Sequence, residues 1–125
     1  MTPQECAGRT LAFLGDAVWS LFVRNDLIEN GQGRGSQLQK KSIAYVSAKA
    51  QAKFYTVLHE EQFFTEAEEE VYRRGRNGNA GTVPNNTDTG TYRMSTGFEA
   101  ILGMLYMEHN EERIREIFQK AKEIL

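Results

Sequence analysis

Cysteine and proline are scarce in this 125-residue chain: Cys6 is the single cysteine, and Pro3 and Pro84 are the two prolines. One cysteine excludes an internal disulfide and a thiolate metal cage, and is typical of a reducing compartment. With no proline between residues 3 and 84, nothing in that stretch forces a helix to break. Neither sign of charge dominates, since 15 Lys and Arg stand against 17 Asp and Glu for a net charge of −2. The whole molecule therefore has no pull toward a polyanion, and a nucleic-acid partner would have to be met by a local basic patch.

Long apolar runs are missing as well. The longest, Leu11 to Val23, is short of the roughly 20 residues that span a bilayer. It also contains Asp16, continues into Arg24-Asn25-Asp26, and lacks the small-residue cleavage site of a secretory signal. A cytoplasmic protein with no membrane partner is expected. The mix of 40% hydrophobic and 26% charged residues is that of a globular chain, and the length suits a single domain over residues 1–125.

The apolar spacing is helical throughout, with no convincing strand alternation and no repeat, so an all-α fold is expected. A first helix is predicted from about Gln4 to Asn30, apolar on all sides between Leu11 and Val23 and hence central. Gly31 to Gly35 ends it, and Ser36 caps a short helix carrying Lys40 and Lys41. Ser47 caps the next, Ala48 to Glu61, with Lys49 and Lys53 on one face and Ala48, Ala52, Tyr55 and Leu58 on another. Thr65 and Glu68 form a capping box, and Arg73, Arg74 and Arg76 close that helix where the dipole favours cations. Residues from Gly75 to Gly90 read as the one long loop, the kind of segment that carries function. An apolar helix follows from about Tyr92 to Glu108. Asn110 caps the last, whose stripe is Ile114, Ile117, Phe118, Ala121 and Leu125.

Two acids stand out. Asp16 is the only charge between Arg9 and Arg24, and Glu99 the only one between Arg93 and Glu108. A carboxylate among bulky apolar neighbours costs several kcal/mol unless a cation, a hydrogen-bond network or water compensates. Gly15, Gly97 and Gly103 lie inside the same helices, where each costs roughly 1 kcal/mol relative to alanine. Glycine beside a lone acid on both helices implies close helix approach, or room for a hard cation such as Mg²⁺ beside the carboxylate. Either acid alone is equally well explained by an arginine partner or a capping role. The two together favour a shared site, although spacing alone cannot show that the helices touch.

Leu11-Ala12-Phe13-Leu14-Gly15-Asp16-Ala17-Val18 resembles the helix motif of ribonuclease III catalytic domains, and Thr96 to Gly103 resembles that family's second acidic motif. The order of the motifs and the short length resemble the Mini-III branch, which lacks a separate double-stranded-RNA-binding domain. Lys40-Lys41-Ser42, Val46 to Ala52, Arg74-Gly75-Arg76-Asn77, Asn86-Thr87-Asp88 and Thr91-Tyr92-Arg93 carry the resemblance along nearly the whole chain. Longer members have further acids where this chain has Arg9, Ala12 and Thr96. A sparser metal shell completed by water is thereby implied.

The resemblance implies a homodimeric, all-helical endonuclease domain that cuts double-stranded RNA with Mg²⁺, leaving 5′-phosphate and 3′-hydroxyl ends. Asp16 and Glu99 would be its catalytic, metal-binding acids. The 23S ribosomal RNA precursor is the implied substrate, with a ribosomal protein as candidate accessory. Arg73, Arg74, Arg76, Asn77, Lys41 and Lys49 are candidate RNA contacts, helped by Lys40 and Lys53, although for the lysines a solvated helix face is an equal reading. Phe13 is a candidate dimer-interface residue or an ordinary core phenylalanine. His59 and His109 fall near helix ends and suit surface or capping roles. The alternatives are a non-catalytic RNA-binding module of the same fold and an unrelated helical bundle for protein interaction.

Overall fold

Helices account for most of the computed structural model, which describes residues 1–31, 33–78, 83 and 87–125. After a one-turn 3-10 helix at Pro3–Glu5 come α1 (Gly8–Glu29), α2 (Ser36–Val46), α3 (Ala48–Glu60), α4 (Glu66–Asn77), α5 (Thr89–Met107) and α6 (Glu111–Ile124). The described residues contain no strand, as the apolar spacing led one to expect.

Side-chain caps set most of these boundaries. Ser47 accepts from the Ala50 amide, Asn110 from the Arg113 amide, and Thr65 and Glu68 close a reciprocal capping box. Ser36 is not a cap but the first residue of α2, behind Gly35 at φ 50°. The helix expected from Gln4 to Asn30 is broken at Cys6 and Ala7, both extended. The Pro3 and Cys6 carbonyls at that break accept from the Arg74 guanidinium, which supplies the partners a continuous helix would have provided.

The long loop is shorter than its composition suggests. Gly75, Arg76 and Asn77 form the last turn of α4, and α5, capped by Asp88, begins at Thr89, three residues ahead of the expected start at Tyr92. Gly75 is there for packing, because a Cβ on it would come within 2.9 Å of the Ala100 Cβ. Of the expected loop, residues 79–82 and 84–86, including Pro84 and Asn86, lie outside the described residues.

The buried centre is α5, through Phe98, Ala100, Ile101, Leu102, Met104 and Leu105. Trp19 of α1 packs its ring among Phe54, Phe98 and Phe118 and donates its indole N–H to the Tyr45 carbonyl at 2.9 Å. The last helix buries Ile114, Ile117, Phe118 and Ala121, while Leu125 stays exposed. Arg113 pins α6 to Glu68 of α4 at 2.8 Å, and Lys122 reaches Asp26 of α1 at 3.1 Å.

Contrary to the all-round burial expected of it, α1 has an open side. Leu11, Ala12, Gly15, Val18, Trp19, Val23 and Leu27 face inward, whereas Phe13, Ala17, Leu21 and Ile28 are exposed. The inward face seats directly on α5. A Cβ on Gly15 would collide with the Glu99 carbonyl, and one on Gly103 with the Leu11 carbonyl. The two backbones thus touch at both glycines. Gly15→Ala should lower unfolding stability by about 3 kcal/mol, since the rigid backbone opposite cannot yield locally. Urea denaturation would measure it, and unchanged stability would mean the helices are not seated this closely.

Candidate active site

The seam between α1 and α5 brings the two lone acids together. Asp16 follows Gly15, whose Cα lies against the Glu99 carbonyl, so closure of the backbones sets one carboxylate beside the other. Asp16 is exposed on the outer side of α1, whereas Glu99 is half-buried. Burial pushes the Glu99 carboxyl up to about 8, helped by the charge of Asp16 and by a hydrogen bond with it.

A third group completes the cluster. Gln51 of α3 donates from Nε2 to Glu99 Oε2 at 3.2 Å and to the Val46 carbonyl at 3.3 Å. Both partners are acceptors, which fixes the orientation of the amide. The Gln51 hydrogen bond favours the ionised form of Glu99, opposing burial and Asp16. The sequence pattern did not single out Gln51. Its signal is faint but present: one polar residue on the α3 face that buries Ala52, Phe54, Tyr55 and Leu58.

The positions at which the resemblance implied further acids in longer relatives contribute none here. Arg9 is exposed, Ala12 is buried, and Thr96 turns its hydroxyl back to the Tyr92 carbonyl at 3.0 Å. Among the described residues, no three His, Cys, Asp or Glu side chains gather where they could hold a metal ion. The donor set is Asp16 and Glu99, two hard carboxylates with room on the solvent side.

The basic candidates fall into separate places. Arg73 and Arg76 are exposed and line one groove with Tyr55, Thr56, His59 and Met94, beginning one turn along α3 from Gln51. Tyr72 lines the same groove, lies against Gly97 and carries Arg76 over its ring at 5.9 Å. Asn77 accepts from Arg76 Nε at 3.2 Å. Arg74 differs from its neighbours, because its guanidinium holds the Pro3 and Cys6 carbonyls and thereby fastens the N-terminal segment to α4. Lys49 is exposed and shares a cavity with Thr87, Asp88 and Thr91 at the start of α5. Lys41 lies apart, with Asp26, Tyr45 and Lys122 near the far end of α1. Asp26 comes ten residues after Asp16, about 15 Å along the helix.

His59 joins no acid pair at the seam; its Nδ1 meets Glu69 Oε2 at 2.6 Å near the end of α3. His109 is exposed at φ 58° in the turn before α6. Phe13 is 84% exposed, one turn before Asp16 on the same side of α1, and is thus not a core phenylalanine.

Residues 9–110 match the Ribonuclease III domain, which contains both acids and Gln51. The chain belongs to the ribonuclease III family, whose members are endoribonucleases that generally use divalent metal ions. Many of its relatives carry one name within it. The Mini-ribonuclease 3 of Streptococcus pneumoniae is 50% identical over 110 residues, covering 88% of this chain and 86% of that one. That of Brevibacillus brevis is 47% identical over 111 residues, covering 89% and 81%. A crystal structure of a Fusobacterium nucleatum protein superposes with a TM-score of 0.84 at 30% identity, covering 95% of this chain and 93% of the other.

The raised Glu99 carboxyl has a consequence for the metal-free protein. Glu99 binds its proton more tightly in the folded chain than in the unfolded one, where its ordinary value is 4.5. Folding stability contributed by this group is therefore highest at low pH and falls between 4.5 and about 8. Asp16→Asn should lower the Glu99 midpoint while leaving it above 4.5, because burial is the larger cause. Carbon-13 NMR titration of the glutamate carboxyls would show it, and a midpoint indifferent to Asp16 would mean that the two do not interact.

Proposed function

We propose that this chain is a Mg²⁺-dependent endoribonuclease that cleaves double-stranded RNA as a homodimer, leaving 5′-phosphate and 3′-hydroxyl ends. The 23S ribosomal RNA precursor is its proposed substrate. The observation that carries the catalytic reading is the meeting of Asp16 and Glu99 across the α1–α5 seam.

Two adjacent carboxylates and an open solvent side suit a hard cation that takes oxygen ligands and keeps several waters. The chemistry a divalent ion supplies at such a pair is a water of lowered pKa and neutralisation of charge at the scissile phosphate. Asp16 and Glu99 would hold the ion, with Glu99 ionised and its proton released to solvent. Gln51 is seated on Oε2, which leaves Oε1 to face Asp16 or an ion. Arg73 and Arg76, along the neighbouring groove, supply phosphate contacts by charge, with Asn77 beside them and Lys49 at the start of α5. Duplex RNA is read by such backbone and 2′-hydroxyl contacts more than by base edges.

The dimer reading rests on α1. Phe13, Ala17, Leu21 and Ile28 form an exposed apolar row on its open side, and rows of this kind mark interaction surfaces. A second copy covering Phe13 would set two Asp16–Glu99 pairs near one another, one for each RNA strand. No helix among the described residues is long and apolar enough to cross a membrane.

One experiment tests both parts. Long double-stranded RNA is incubated with the protein, with and without Mg²⁺, beside Asp16→Asn and Phe13→Glu, and each protein is sized by light scattering. Cleavage should require Mg²⁺ and fall about a hundredfold or more in Asp16→Asn, in line with several kcal/mol of lost charge stabilisation. Phe13→Glu should be monomeric. Wild-type protein that binds the duplex without cutting would replace the enzyme by an RNA-binding module, and a dimeric Phe13→Glu would move the interface elsewhere.

A further inference from the structure

We infer that Gln51 is a positioning residue for divalent-ion binding, holding Glu99 so that its free oxygen and the Asp16 carboxylate converge on one point. This rests on the divalent-ion reading of that acid pair. Four polar side chains are buried among the described residues: Ser42, Gln51, Glu68 and Ser95. Ser42 and Ser95 bond back to carbonyls one turn earlier, and Glu68 serves its capping box and Arg113. Gln51, 1% exposed, is the one that reaches from another helix to an acid of the site.

Its position makes little sense for stability alone. The same α3 face buries Phe54, Tyr55 and Leu58, and an apolar side chain would fill it without desolvating an amide. A buried polar residue that breaks the local pattern is expected where function demands it. The geometry supplies the demand. A glutamate reaching the solvent side of a helix has rotamer freedom, which must be lost before its oxygen can bind an ion. Donation to Oε2 removes part of that freedom in advance, and the second bond, to the Val46 carbonyl, anchors the amide to the α2–α3 corner. A chain with only two acids at the site has few other means of fixing them, and outer partners of metal ligands typically matter 10–100-fold in affinity or activity.

The test uses full-length, metal-free protein without RNA, titrated with Mn²⁺ and followed by the electron paramagnetic resonance signal of the free ion. Wild type, Asp16→Asn, Gln51→Met and Gln51→Leu are compared, with thermal unfolding of each. The wild type should bind Mn²⁺ and Asp16→Asn should not. Folded Gln51→Met and Gln51→Leu should bind at least tenfold more weakly. With RNA, their kcat should fall at unchanged KM for the duplex and recover in part at raised metal concentration. Wild-type affinity in either folded variant would overturn the inference and leave the acid pair standing. Failure of the wild type to bind Mn²⁺ would overturn the divalent-ion reading and this inference with it. If neither variant folds, Gln51 is a fastener of the α2–α3 corner and the inference is likewise overturned.

Discussion

Backbone contact between α1 and α5 is the constraint on which the site depends. At Gly15 and Gly103 each helix presses a bare Cα against a carbonyl of the other, closer than any side chain would allow. Glycine within a helix is unfavourable on its own. Its compensation here is a crossing so tight that Asp16, on the rim of one helix, meets Glu99, on the flank of the other. Gly75 and Gly97 extend the same device to α4, whose Tyr72 ring and Ala100-facing backbone sit on α5 with similar closeness. Two helices are thereby drawn to one strip of α5.

That strip organises the electrostatics. Burial first, and then the adjacent charge of Asp16, disfavour ionisation of Glu99, whose carboxyl is pushed up to about 8. A cation would relieve the same conflict directly. Gln51 acts against protonation from the third side, opposing burial and the charge of Asp16. The ion pairs that do hold the fold, Glu68 with Arg113 and Asp26 with Lys122, bind α6 to α4 and to α1 and do not involve the acid pair.

Much of this was legible in the residues. Asp16 and Glu99 were conspicuous as lone charges, and the glycines beside them already pointed to close approach. The caps at Ser47, Thr65 and Asn110 could be read because each is a local bond between a side chain and an amide two or three residues on. What could not be read is what depends on tertiary partners. The break at Cys6 and Ala7 exists because Arg74 takes up the carbonyls there, and that contact spans most of the chain. Gly75 looked like loop composition until its neighbours Gly97 and Ala100 were in place. The open side of α1 is invisible to periodicity, since Phe13, Leu21 and Ile28 are as apolar as the residues they alternate with. Gln51 was hidden for a similar reason: one glutamine on a helix is ordinary until the acid it touches is known.

The central claim is that the α1–α5 seam builds one cation site from Asp16 and Glu99. Anomalous diffraction from crystals of the protein grown with Mn²⁺ tests it most directly. The account expects a manganese peak between the Asp16 and Glu99 carboxylates, with Gln51 still seated on Glu99. A peak elsewhere in the molecule, with the two acids left bare, would contradict it.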